Sequence, residues 1–202
     1  MRDDRHKWSP ALGHARPALT AENIEVGVVT LKRQTVISGA LNDCLAACGI
    51  DAATAGGTEM AVGDAYALRQ RRDRLLVVNA PGLSDGWHVD RNIAVSDFSA
   101  AYAVISLAGS NAERLIATGT EFVGDAPSPS VSRLWHGFGT LLYRHNQPQS
   151  YRMHVRAAHV EAVWEMIRRQ VSALDSASDL VLARGDLANA TSQRELFQRK
   201  AS

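Results

Sequence analysis

The chain has 202 residues, 46% hydrophobic and 21% charged, with 22 Lys and Arg against 21 Asp and Glu and a formal net charge of +1. A chain of this length buries roughly 70% of its unfolded surface and needs no disulfide or metal staple. Near-neutrality excludes recruitment of nucleic acid or anionic membrane by a global field, and no apolar run approaches the ~18 residues of a membrane-spanning helix.

Residues 1–23 read as an extended arm, because Pro10 and Pro17 deny it regular structure. Its charged, proline-broken first twenty residues contain no apolar core of signal-peptide length. With only two cysteines, this predicts a cytoplasmic protein. A β-branched strand is expected over 26–32. Leu41, Cys44, Leu45 and Cys48 fall at helical spacing, and Gly49 stops the helix. The two cysteines read as small buried hydrophobes, since neither a CxxC nor a second ligand pair is present. Residues 52–57 read as a loop of small residues.

Strands are expected over 65–70 and 74–79, around the charged turn Arg71-Arg72-Asp73, followed by a turn cluster over 81–87. A strand from Ile93 leads through a short turn to a second strand over 102–107. That strand is apolar on both faces, as in a central strand covered on both sides. A helix over 111–118 follows, with Ser110 as its N-cap, Ala112, Leu115 and Ile116 inward and Glu113 and Arg114 outward. After a polar loop over 121–130 come strands over 131–136 and 139–144, split by Gly137. A strand over 149–156 alternates Tyr151, Met153 and Val155 against Arg152, His154 and Arg156. The helix over 158–171 carries the stripe Val160, Val163, Trp164, Ile167 and Val171, with Glu165 and Arg169 as an i,i+4 pair. Strands interleaved with few helices predict an α+β fold with a mainly antiparallel sheet and a few packed helices. The domain is expected over 24–171, between the arm at 1–23 and a polar tail at 172–202.

Several motifs invite a chemical reading. Gly82-Leu83-Ser84-Asp85-Gly86 is a literal G-x-S-x-G, but a nucleophile elbow needs a strand directly before and a helix directly after. Here Ala80-Pro81 intervene, and the segment after Gly86 does not start a helix. Asp85, His88 and Asp90 share one loop without the convergence a zinc site requires. His136 and His154 lack an orienting carboxylate nearby in sequence. Gly109-Ser110-Asn111 opens a helix but lacks G-x-G-x-x-G and the P-loop lysine. Arg69, Arg71, Arg72 and Arg74 surround a hairpin tip and read as a solvated face or a contact for an acidic protein. No catalytic, cofactor-binding or metal residue is therefore expected in this chain. Trp164 belongs to a core stripe. Trp8 in the arm and Trp87 in a loop instead suggest a protein–protein surface, because aromatic anchors dominate interface energetics.

The order and spacing of several segments carry a family resemblance. They are Ser9-Pro10-Ala11-Leu12-Gly13-His14, Leu75-Leu76-Val77-Val78-Asn79-Ala80-Pro81-Gly82, Val95-Ser96-Asp97-Phe98-Ser99 and Leu107-Ala108-Gly109-Ser110-Asn111-Ala112, then the closing strand Tyr151 to Arg156 and Val163-Trp164. Together, from about Trp8 to Gln170, the chain resembles the gamma subunit of heterotetrameric sarcosine oxidase. That family lies in the folate-binding-fold group that includes the glycine-cleavage aminomethyltransferase. Arg156-Ala157 stands where the family has Arg-Ser.

The resemblance implies a folate-binding (aminomethyltransferase-like) fold with an extended arm and no cofactor in this chain. FAD, FMN, NAD, tetrahydrofolate and zinc are then expected in alpha, beta and delta-type partner subunits. Such a complex oxidises an N-methyl amine such as sarcosine, giving hydrogen peroxide and a one-carbon unit. This chain would be its non-catalytic subunit, with Trp8, Pro10, Leu12 and Trp87 as interface candidates and no nucleic-acid or membrane partner. Two alternatives stand beside it. One is a freestanding tetrahydrofolate-dependent one-carbon enzyme or folate-binding protein; the other is a serine hydrolase using Ser84.

Overall fold

Among the described residues, eleven short strands build two antiparallel sheets that pack face to face. A computed structural model describes residues 16–21, 23–50, 60–80, 82–120 and 130–174. The first sheet contains β1 (Leu19–Ala21), β2 (Ile24–Val29), β8 (Tyr102–Ala108), β9 (Ser132–Trp135), β10 (Phe138–His145) and β11 (Gln147–Arg156). Their spatial order is β1-β2-β8-β11-β10-β9. The second contains β3 (Gln34–Ser38), β4 (Tyr66–Arg71), β5 (Arg74–Val78), β6 (Gly86–His88) and β7 (Ile93–Asp97), in the order β4-β5-β3-β7-β6.

Among the described residues, three helices cover the outer faces. α1 (Leu41–Cys48) packs on the second sheet, where Cys44, Leu45 and Cys48 join Ile37, Leu75, Val77, Ile93 and Val95 in one cluster. α2 (Ala112–Ala117) and α3 (160–174, after a 3-10 turn at Ala157–His159) pack on the first sheet. There Leu115, Ile116, Val163 and Ile167 meet Ile105, Leu107, Met153 and Val155. Between the sheets lies a third cluster, including Val36, Leu68, Leu76 and Leu141. The layers therefore run helix, sheet, sheet, helix. Burying each such aliphatic side chain contributes about 1.5–3 kcal/mol.

The α+β expectation holds, and so do several of its parts. Gly49 terminates α1 with φ 64, the left-handed conformation that glycine adopts without a steric penalty. The α3 stripe Val160, Val163, Trp164, Ile167 and Val171 is buried throughout. Glu165 meets both Arg169 at 3.0 Å and Arg168 at 2.7 Å. β8 is an internal strand covered on both faces: Ile105 and Leu107 face the helices, while Tyr102 packs into the inter-sheet cluster.

Other details differ. Leu19–Ala21, within the stretch read as an extended arm, pairs with β2, because strand β2 offers it an open ladder edge. Just before it, Arg16 pairs with Glu161 and its guanidinium lies 5.8 Å from the Trp164 ring centre. β3 escapes a reading by alternation, since Gln34 and Thr35 are buried together with Val36 and Ile37. Gly86 and Trp87, within the stretch read as turn, belong with His88 to an edge strand. The N-cap of α2 is Asn111 rather than Ser110, and no side chain caps it. Gly109 holds φ +113, and a Cβ there would lie 2.3 Å from the Asn23 carbonyl oxygen. The Asn111 N–H donates to that same carbonyl at 3.1 Å, so the chain itself occupies this helix start.

Candidate functional site

The literal G-x-S-x-G lies on an exposed approach to β6, with no helix after it. His88 Nε2 bonds the Ser84 carbonyl oxygen at 2.8 Å, so the nearby imidazole is committed to backbone rather than to the Ser84 hydroxyl. His136 bonds Thr118 Oγ1 at 3.2 Å, and His145 Nε2 donates to the Gly63 carbonyl at 3.0 Å. No group of three His, Cys, Asp or Glu residues capable of holding a metal occurs among the described residues; Asp85 and Asp90 lie in the loops that flank β6, and His88 ends that strand. Cys44 and Cys48 are buried free thiols. Burial first, then the neighbouring Cys48, pushes the Cys44 thiol up to about 11, far from a reactive thiolate.

The polar feature that sequence reasoning missed lies between the sheets. Alternation puts Arg152 and His154 on the face of β11 opposite Tyr151, Met153 and Val155, without saying what that face meets. That face is covered by the second sheet, and His154 is fully buried. Its Nδ1 lies 2.9 Å from Gln34 Oε1, and its Nε2 lies 2.8 Å from the Tyr143 hydroxyl. Tyr143 in turn lies 2.7 Å from the Tyr66 hydroxyl, and Arg152 Nη1 donates to Tyr66 at 2.7 Å.

Donor and acceptor chemistry fixes the direction of this chain. Gln34 Nε2 donates to the Tyr102 carbonyl at 2.9 Å, which leaves Gln34 Oε1 as an acceptor facing His154. His154 therefore donates from Nδ1 and accepts at Nε2 from Tyr143. Tyr143, having spent its proton, accepts from Tyr66, and Tyr66 accepts from Arg152. Every bond runs one way, from a cation on β11 to an amide on β3, crossing between the sheets three times. Burial, reinforced by the Arg152 charge, drives the His154 pKa down to about 3 and keeps the ring neutral. Burial also raises both tyrosine pKa values, so the phenols stay protonated. A neutral, fully bonded histidine of this kind specifies packing; it has no free lone pair for base catalysis.

The interface candidates divide. Trp8, Pro10 and Leu12 lie outside the described residues. Trp87 is on β6, the edge strand of the second sheet, and is 60% exposed, with Val89 beside it at 79%. Trp87 and Val89 together expose an apolar pair at a sheet edge, and Trp is a residue type enriched among interface anchors. Trp135 is the opposite case: fully buried, with its indole N–H donating to the Ile116 carbonyl at 3.1 Å.

Among solved structures, the fold is similar to a chain of heterotetrameric sarcosine oxidase from Corynebacterium sp. U-96, in complex with pyrrole 2-carboxylate. The TM-score is 0.62 at 18% identity, and the match covers 78% of this chain and 89% of that chain. A second similarity, to aspartate kinase from Clostridium acetobutylicum, has a TM-score of 0.33 at 13% identity, over 80% of this chain and 37% of that chain; it carries no argument. No protein-family model and no curated protein matches the chain. The first similarity defines the class: an α+β chain of two antiparallel sheets and three helices, folded like a subunit of that oxidase.

Proposed function

We propose that this chain is a non-catalytic, gamma-type subunit of a heterotetrameric flavoenzyme of the sarcosine-oxidase kind, acting in one-carbon metabolism in the cytoplasm. The supporting observation is the fold similarity, which spans 89% of one chain of such a heterotetramer. The Trp87–Val89 edge supplies a surface suited to a partner. In this reading Trp8, Pro10 and Leu12 of the arm extend that contact. The redox and one-carbon chemistry belongs to alpha, beta and delta-type partners carrying FAD, FMN, NAD, tetrahydrofolate and zinc. This chain's contribution is to complete the assembly, and the direct oxidation of an N-methyl amine takes place in the large subunits.

Affinity purification of the tagged chain, co-expressed with the proteins encoded beside it, tests the proposal. Stoichiometric recovery of a yellow, flavin-bearing complex that oxidises sarcosine or a related N-methyl amine is expected. Recovery of the chain as a monomer that binds tetrahydrofolate would instead support the freestanding folate protein.

A further inference from the structure

At one end of the sandwich the two sheets part, leaving a cleft of about 490 Å³. This lies within the roughly 300–1,000 Å³ of small-molecule sites. Four arginines line it: Arg71 and Arg74 from the β4–β5 hairpin, Arg133 from β9 and Arg156 from the end of β11. Among the described residues no aspartate or glutamate lines it, and the hairpin's own Asp73 is not part of its wall. The side chains of Arg71 and Arg156 make no hydrogen bond or ion pair among the described residues. Arg74 spends its Nε on Ser38 Oγ, and Arg133 one nitrogen on the carbonyls of Ser130 and Ser132, which leaves most of their N–H groups uncommitted.

Four like charges lining one cleft give it a positive potential, which an anion would offset. Arginine suits the task, because its planar fork donates two parallel bonds to an oxyanion. Gln70 adds to the same wall, and its side-chain amide nitrogen is buried without a hydrogen-bond partner among the described residues. A ligand oxygen would satisfy it. Phe98 and Tyr102 also line the cleft, with ring centres 6.2 Å apart and planes inclined at 31°. The lip is firmly built, since the Ser130 and Ser132 hydroxyls both donate to the Gln70 carbonyl, at 2.6 and 3.3 Å.

We propose that this cleft binds a phosphorylated small molecule bearing a planar ring, with the phosphate on the arginines and the ring against Phe98 and Tyr102. A phosphate monoester brings nearly two negative charges and three acceptor oxygens, which matches the charge and the donors better than a single carboxylate. The inference is independent of the assembly reading, because the cleft lies wholly within this chain.

Calorimetric titration of the full chain with adenosine 5′-monophosphate, adenosine and citrate tests it. The monophosphate is expected to bind at least about ten-fold more tightly than adenosine, which lacks the charge, and than citrate, which lacks the ring and phosphate. Arg71→Ala with Arg74→Ala, or separately Arg156→Gln, should weaken it about ten-fold or more. Arg72→Ala removes the same charge from the same hairpin outside the cleft and should change it less than two-fold. The proposal is overturned if the monophosphate shows no saturable binding, if citrate binds as well, or if Arg72→Ala weakens binding as much as the cleft variants do.

Discussion

His154 Nδ1 and Gln34 Oε1 lie 2.9 Å apart although 120 residues separate them in the chain. That bond joins β11 of one sheet to β3 of the other. It ends a one-way series that starts at Arg152 and passes through Tyr66 and Tyr143. An apolar interface tolerates sliding, because dispersion has little direction. Hydrogen bonds with fixed donors and acceptors admit one register, so this series sets how the two sheets meet.

The neutral His154 makes stability pH-dependent. Its folded pKa is about 3, below the ordinary 6.5. Above pH 6.5 both folded and unfolded states are neutral and the stability is fully present. Below it the unfolded chain takes up a proton that the folded chain refuses, so stability falls by about 1.4 kcal/mol per pH unit toward pH 3. His145, whose pKa burial also lowers, acts in the same direction. Urea unfolding should therefore show a loss of about 2 kcal/mol from His154 between pH 7 and pH 5. His154→Gln should remove that part of the slope; parallel pH profiles for the two proteins would refute the neutral assignment.

Tyr143→Phe breaks the series at its middle. It leaves His154 Nε2 without a donor and the Tyr66 hydroxyl without an acceptor, at a cost of about 2 kcal/mol or more. Tyr66→Phe should cost less, and the double variant should cost less than the sum of the two, with a coupling of at least about 0.5 kcal/mol. Strict additivity in urea melts would show that the two hydroxyls do not work together.

Gly109→Ala tests the β8–α2 junction. The position holds φ +113, and the new Cβ would sit 2.3 Å from the Asn23 carbonyl oxygen. Strain alone costs about 1–3 kcal/mol, and the clash adds to it. A drop in thermal midpoint well beyond that of Gly137→Ala is expected, since Gly137, though at φ +84, has nothing within 4 Å of its Cβ direction.

The cysteines should be silent in the native state. Cys44 and Cys48 are buried, and burial raises both thiol pKa values. Iodoacetamide at pH 8 should alkylate neither in native protein and both in urea, as read by intact mass. Rapid native labelling would show that α1 opens readily from the second sheet.

Trp87→Ser separates folding from assembly. Because Trp87 is 60% exposed, its replacement should change the stability of the isolated chain by no more than about 0.5 kcal/mol. If Trp87 anchors a partner, the same change should weaken association by about ten-fold or more, read by co-purification yield and by calorimetry. Unchanged association would remove the β6 edge from the proposed interface.

Much of this was legible in the residues alone. The spacing of Val160, Val163, Trp164, Ile167 and Val171 determines a one-sided helix whatever it packs on, and Gly49 stops α1 by its own conformational freedom. The run from Ala103 to Leu107, apolar on both faces but for Ser106, marks a strand covered twice. What the tertiary structure alone decided is the partner of each face. Alternation along β11 separates Arg152, His154 and Arg156 from the core residues between them, but period two cannot say whether the polar face meets water or another sheet. Only when β3, β4 and β5 close over it do His154 and Gln34 become a buried pair, and Arg71, Arg74, Arg133 and Arg156 share one cleft. Those groups come from three strands and a hairpin far apart in the chain, and local sequence carries no record of distance in space.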